Sequence, residues 1–123
     1  MPARISNITF DCGDALVVAT FWSRVLGRPL DPGASVFYCS IGGSDAARAE
    51  PALYFEKVPE AKTAKNRVHL DVVDRDPEVV DRLMTLGASL VAEHEMANGA
   101  HRWTVMADPE GNEFCVAVTS FVA

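Results

Sequence analysis

The sequence predicts an α+β domain built from two related β-α-β-β-β modules, and three observations carry that expectation. Short runs alternate apolar and polar residues, the period of a half-buried strand, and two longer runs read as helices. Both helical runs open on an aspartate and close on Leu-Gly, at Asp14 to Leu26-Gly27 and at Asp76 to Leu86-Gly87. A polar strand residue precedes each aspartate by seven positions, Asn7 before Asp14 and His69 before Asp76. Strand positions are offset by 62 residues and helix ends by 60, so the second helix is shorter by about half a turn. Matching element order on this spacing reads as an internal duplication, with modules 1–62 and 63–123 forming one domain over residues 1–123.

The elements follow in order. Ile5 to Asp11 alternates as a strand. Asp14 is an N-cap for a helix from Ala15 to Leu26, and Gly27 is its natural stop. Several β-branched residues lower that helix's propensity, so it relies on an apolar face of Leu16, Val17, Thr20, Phe21 and Val25. Trp22 reads as a helix-packing or interface residue. Pro29, Asp31, Pro32 and Gly33 form a connector, after which 35–41 and 52–58 read as strands. In the second half, Arg67 to Val73 alternates as a strand. Asp76 caps a helix with Pro77 at its first position, and Gly87 ends it. Strands at 89–95, 101–107 and 113–119 follow, with Asn98-Gly99 marking one hairpin and Asp108-Pro109-Glu110-Gly111 a tight turn.

Composition narrows the function classes. The 123 residues are 49% hydrophobic and 23% charged, ordinary for a globular domain. No apolar run approaches the roughly 20 residues of a membrane span, and residues 1–6 lack the apolar core of a signal peptide, so a soluble cytoplasmic protein without a membrane partner is expected. A net charge of −6 argues against a nucleic-acid partner, which would call for a basic patch. Lys57, Lys62, Lys65 and Arg67 form a loose basic group, read either as a solvated loop or as an attractor for an anionic ligand. Cys12, Cys39 and Cys115 are odd in number and widely spaced, so free thiols in a reducing compartment are expected.

Three segments resemble the glyoxalase/bleomycin-resistance/extradiol-dioxygenase (vicinal oxygen chelate) superfamily. They are Asp14 through Phe21-Trp22 to Leu26-Gly27; Val68 to Val72 with Asp76 and Leu86-Gly87-Ala88; and the turn Asp108-Pro109-Glu110-Gly111-Asn112. The stretch Lys65 to Asp71 is similar to a glyoxalase-like subgroup. The resemblance implies two curled mixed sheets around a cavity, helices outside, and a homodimer. It also implies metal ligands on the first and last strand of each module. By position these fall on Asn7, on Glu56 or its neighbour Phe55, on His69 and on Cys115. Asn7 and Cys115 depart from the usual His, Gln and Glu set, so His69, Glu56 and Cys115 stand as a candidate site for a softer divalent ion. The other reading is a cavity kept after the metal site was lost.

Strand alternation assigns faces independently of the resemblance. Ile8 and Phe10, Val68, Leu70 and Val72, and Phe114, Val116 and Val118 are expected toward the helices. Asn7, Thr9 and Asp11, Arg67, His69 and Asp71, and Glu113, Cys115 and Ala117 then line the opposite, concave side. Trp103 shares a face with His101 and Val105, either as core or as an aromatic wall for a planar ligand. His69 is either a hydrogen-bonded structural histidine or a general base tuned by Asp71, with Glu113 as a further proton carrier. Cys115 reads as a small packed thiol that can also touch ligand. The candidate ligand-binding set is therefore Asn7, Thr9, Asp11, Arg67, Trp103 and Cys115. Two functions fit: a small-molecule enzyme of lyase, isomerase or oxygenase type acting with or without metal, and a non-catalytic protein that sequesters a small molecule or antibiotic.

Overall fold

A computed structural model describes residues 1–45, 47, 50–95 and 102–119. The chain separates into two compact units, Met1–Lys62 and Thr63–Ala123. The first contains β1 (Asn7–Cys12), α1 (Ala15–Leu26), β2 (Tyr38–Ile41) and β3 (Ala52–Lys57). The second contains β4 (Asp71–Asp74), α2 (Val79–Leu86), β5 (Ser89–Glu95), β6 (Arg102–Ala107) and β7 (Glu113–Val118). Each unit is a mixed sheet with one helix, so the fold class is α+β as the sequence predicts. No helix among the described residues is long and apolar enough to cross a membrane.

In the first unit the strand order is β1-β3-β2, with β1 and β3 parallel and β2 antiparallel to β3. The module plan calls for a further strand here. Among the described residues it is reduced to a single bridge between Leu30 and Ile41. Pro29 and Pro32 flank that bridge and have no N–H to extend a ladder. Asp14 caps α1 by accepting from the Val17 amide at 3.1 Å. Gly27 closes the helix at φ 63°, a left-handed conformation that favours glycine.

The buried stripe of α1 is Ala15, Val18, Ala19, Phe21 and Trp22. Leu16 and Val17, expected inward, are exposed. Positions 15, 18, 19 and 22 repeat at the helical period and include the large indole, so the helix rotates to bury that ring. Trp22 packs on Phe10 at 5.8 Å, and Phe10 stacks on Phe55 at 5.0 Å. Trp22 and Phe55 are fully buried and each contributes roughly 2–3 kcal/mol of transfer free energy, while Phe10 between them is half-buried.

The second sheet runs β4-β7-β6-β5, with β4 and β7 parallel and the rest antiparallel. Its core side is Met106, Phe114 and Val116, all buried, together with Val79 and Leu83 of α2. The helix begins later than expected, at Val79 after Glu78. Asp76 instead holds the preceding turn, its carboxylate accepting from the Glu78 amide at 2.9 Å. The strand expected from Arg67 starts only at Asp71, and Val68, expected toward the helix, is 79% exposed. The Asp108–Asn112 turn forms as read: the Asp108 carboxylate accepts from the Glu110 and Asn112 amides and the Asn112 side chain. The Asn98-Gly99 hairpin and His101 lie outside the described residues.

Candidate functional site

Strand pairing in the second unit sets the site. Asp71 on β4 is the register partner of Cys115 on β7, and Cys115 is in turn the partner of Val105 on β6. The Cys115 amide donates to the Leu70 carbonyl at 2.9 Å, which extends the pairing to the residue after His69. A cleft of about 470 Å³ opens against this face, lined by His69, Asp71, Val72, Val73, Trp103, Cys115 and Ala117. Its walls are mostly apolar, with three groups able to exchange protons or ligate an ion, the combination expected of a small-molecule site.

Nε2 of His69 lies 3.5 Å from Oδ1 of Asp71. The sequence spacing alone allows about 7 Å between these side chains along an extended strand. Because β4 begins at Asp71, His69 sits in the entering segment, where its side chain folds back toward the carboxylate. Both are accessible, with 40% and 73% of the side chain exposed. The Cys115 thiol is held above the usual range, first by burial and then by the charge and hydrogen-bond acceptance of Asp71, with Lys65 pulling the other way. It rests as a protonated donor, not a thiolate nucleophile.

The other sequence candidates fall in distinct places. Glu113 is two residues before Cys115 on β7, and its carboxylate accepts from the Asn66 backbone N–H at 3.0 Å. Asn66 also donates from its side chain to Asn112 at 3.0 Å, so these contacts tie the segment entering β4 to β7. Arg67 is exposed in that segment. Trp103 lines the cleft, and its ring stacks on His94 of β5 with centroids 5.3 Å apart. Ala117 lines the cleft on the face its strand alternation predicts, whereas His94 and Val73 are not among the sequence candidates. Cross-strand register, which no single segment reveals, is what brings them to this face.

Asn7, Thr9, Asp11 and Glu56 belong to the first unit. Asn7 donates to Thr9 Oγ1 at 2.9 Å, and Asp11 is the register partner of Glu56. The ambiguity at β3 resolves there: Phe55 packs with Phe10 and is fully buried, so Glu56 takes the opposite face with Asp11. The carboxylate placed with His69 and Cys115 is that of Asp71. The donor atoms of His69, Asp71 and Cys115 lie within 4.8 Å of one another. This set offers one nitrogen, one oxygen and one sulfur. It does not suit a hard ion that wants an oxygen cage, and it suits a borderline ion. All three cysteines are free thiols.

Two mixed sheets, each carrying a helix, with an open cleft on the β4-β7-β6 face, define a small α+β protein with a candidate small-molecule site. The sequence matches the model for the glyoxalase-like domain over residues 7–117, and the chain belongs to that family. Its structure is similar to a glyoxalase/bleomycin resistance protein/dioxygenase family enzyme from Burkholderia phytofirmans, at 19% identity and a TM-score of 0.70, covering 94% of this chain and 98% of the other. A fosfomycin resistance protein from Listeria monocytogenes, solved with manganese(II) and a dihydroxypropylphosphonic acid, aligns at 14% identity and a TM-score of 0.69, covering 95% and 90%. A lactoylglutathione lyase from Agrobacterium tumefaciens aligns at 16% identity and a TM-score of 0.59, covering 96% and 95%. At these identities the likeness is one of fold. Among curated proteins, none matches this sequence.

Proposed function

We propose that the protein is a glyoxalase-like small-molecule enzyme that moves a proton on a ligand held in the cleft of the second module, without requiring a metal. The observation that carries this reading is the His69–Asp71 pair at 3.5 Å on the wall of an otherwise apolar cleft. Nε2 faces the carboxylate, so Nδ1 is the nitrogen left to accept a proton, and Asp71 fixes the ring orientation. Trp103, Val73 and Ala117 supply apolar contact for the ligand's non-reacting part. In such a step His69 takes a proton from carbon next to a carbonyl, the electron pair moves onto the carbonyl oxygen, and the imidazolium returns a proton. The fold class admits metal-dependent members, as the manganese(II) in the fosfomycin resistance protein illustrates. The donors here are a poor match to a hard ion, and no step in this reading runs through one.

The mostly apolar lining also favours a second reading, a protein that sequesters its ligand without turnover. One experiment separates the two. Carbonyl compounds that raise the melting temperature are incubated in deuterium oxide with wild type, His69→Ala and Asp71→Asn. Deuterium entering the ligand with wild type and lost with His69→Ala supports the enzyme. Stabilisation without exchange in any form supports sequestration, since binding stabilises the fold in either case.

The reading carries a homodimer and a cytoplasmic setting. Exposed Phe37, Leu90 and Val91 support the first as apolar surface available to a partner copy, and the free thiols support the second. Sedimentation velocity and fractionation of the native host's cells test them.

A further inference from the structure

On the reading that the ligand sits in the cleft of the second module, we propose that His94 is a positioning residue. Through Trp103 it gives the cleft a fixed flat wall, and that wall selects carbonyl compounds whose carbonyl is joined directly to a planar ring. His94 on β5 and Trp103 on β6 are register partners, and their rings stack at 5.3 Å with 22° between the planes. The neighbouring pairs, Glu93 with Thr104 and Glu95 with Arg102, hold the ladder on both flanks of the stack. The sheet, and not a loop, therefore sets where the imidazole lies.

Strand order gives the stack a direction. β6 lies between β5 and β7, so the imidazole covers the indole from the β5 side. The indole borders the cleft on the side of β7, where Cys115 and Ala117 also line it. Trp103 is half-buried, and a side chain in that setting loses rotational freedom when a ligand packs on it. The stack removes much of that freedom beforehand, a gain of roughly two- to tenfold in affinity for a ligand that uses the wall. Spacing sets the length of such a ligand. Asp71 is level with Cys115, and Cys115 with Val105, while Trp103 lies two residues further along β6, about 7 Å away. A six-membered ring joined directly to a carbonyl spans that distance, with the carbonyl at the His69–Asp71 pair and the ring against the indole. A puckered ring of the same size can be buried there but cannot stack.

The test compares two probes on the full-length protein: acetophenone, and cyclohexyl methyl ketone, which shares the acetyl group but lacks the flat ring. Their affinities are measured by chemical-shift titration for wild type, His94→Ala and His94→Phe. Wild type should prefer acetophenone by about threefold or more. His94→Ala should bring the ratio close to one and alter the near-ultraviolet circular dichroism of the indole. His94→Phe restores a flat stacking partner and should keep both the ratio and the spectrum. Equal affinity of wild type for the two ketones, no binding of acetophenone, or the wild-type ratio in His94→Ala overturns the proposal. A stack that only steadies the sheet would lower the melting temperature of His94→Ala and leave the ratio unmoved, which also overturns it. His94 is exposed on an edge strand, so the variants should fold. If His94→Ala does not, His94→Leu, which fills the position without a flat ring, takes its place. Binding is read without turnover. The predicted ratios with no deuterium exchange in wild type would strike the enzyme reading alone, and an unmoved ratio with exchange intact would strike the role of His94 alone.

Discussion

Asp71 and Cys115 face each other across the parallel β4–β7 pair, and after burial the nearby Asp71 carboxylate is what holds the thiol's ionisation up. A protonated cysteine beside an anionic aspartate is a different instrument from the carboxylate that the family resemblance places at this strand position. It donates a hydrogen bond where a carboxylate would only accept one.

The first prediction concerns this thiol. Burial and Asp71 both push its ionisation upward, so less thiolate is present at neutral pH than in an ordinary cysteine. Alkylation of Cys115 by iodoacetamide, followed by peptide mass spectrometry, should be slow at pH 7 and accelerate only above the usual thiol range. Asp71→Asn removes the charge but leaves the burial, so it should speed alkylation at fixed pH. An unchanged or slower rate in that variant contradicts the pairing.

A second prediction tests the loop before β2. Asp31 accepts from Ser40 Oγ at 2.6 Å, Ser44 Oγ at 2.7 Å and the Gly43 amide at 2.8 Å. Burial raises its ionisation, yet these donors override it and hold the carboxyl below its ordinary value of 3.8. A depressed folded value means the stabilisation is present above the unfolded value and is lost as pH falls through the folded one. Asp31→Ala should therefore cost about 1–3 kcal/mol at pH 7, and its deficit relative to wild type should shrink in urea melts as the pH is lowered beneath the ordinary carboxyl value of 3.8.

Gly43, in the loop after β2, gives an independent check on the same contacts to Asp31. A Cβ there would meet Asp31 Oδ2 and Tyr54 Cε1 at 3.1 Å and Ser40 Oγ at 3.3 Å. Gly43→Ala should destabilise by about 1 kcal/mol through crowding, read as a lowered denaturation midpoint. A variant as stable as wild type would mean that the loop relaxes freely.

The sequence made much of this architecture legible, for identifiable reasons. Asp14, Gly27 and the Asp108–Asn112 turn are local devices whose geometry follows from nearby residues, and each acts as its sequence suggests. The rotation of α1 was not legible, because Leu16 and Val17 are as apolar as the residues buried in their place. Only the space needed by Trp22 on Phe10 decides between the two faces. The site was half readable. His69 with Asp71, and Cys115, stand out by type and strand alternation, but the meeting of that pair with Cys115 is set by the β4–β7 register. That register is a long-range relation, and no pattern within either strand specifies it.

The aromatic stack beneath α1 provides a prediction on stability. Phe55 is fully buried against Phe10, so Phe55→Ala should cost about 3–5 kcal/mol by loss of burial and creation of a cavity. Glu56→Ala, one residue on and exposed, should change stability by no more than about 0.5 kcal/mol. Chemical denaturation of the two variants side by side distinguishes the inward from the outward position on β3.

The central claim is that the β4-β7-β6 face of the second module is where this protein meets its ligand. Amide chemical-shift mapping of a stabilising compound on nitrogen-15-labelled protein tests it most directly. The account predicts that the largest shifts fall on Asp71, Val73, Cys115, Ala117 and the Trp103 indole, and that Trp103→Ala weakens binding by about tenfold or more. Saturable shifts concentrated on other residues, with these five unmoved, would contradict it.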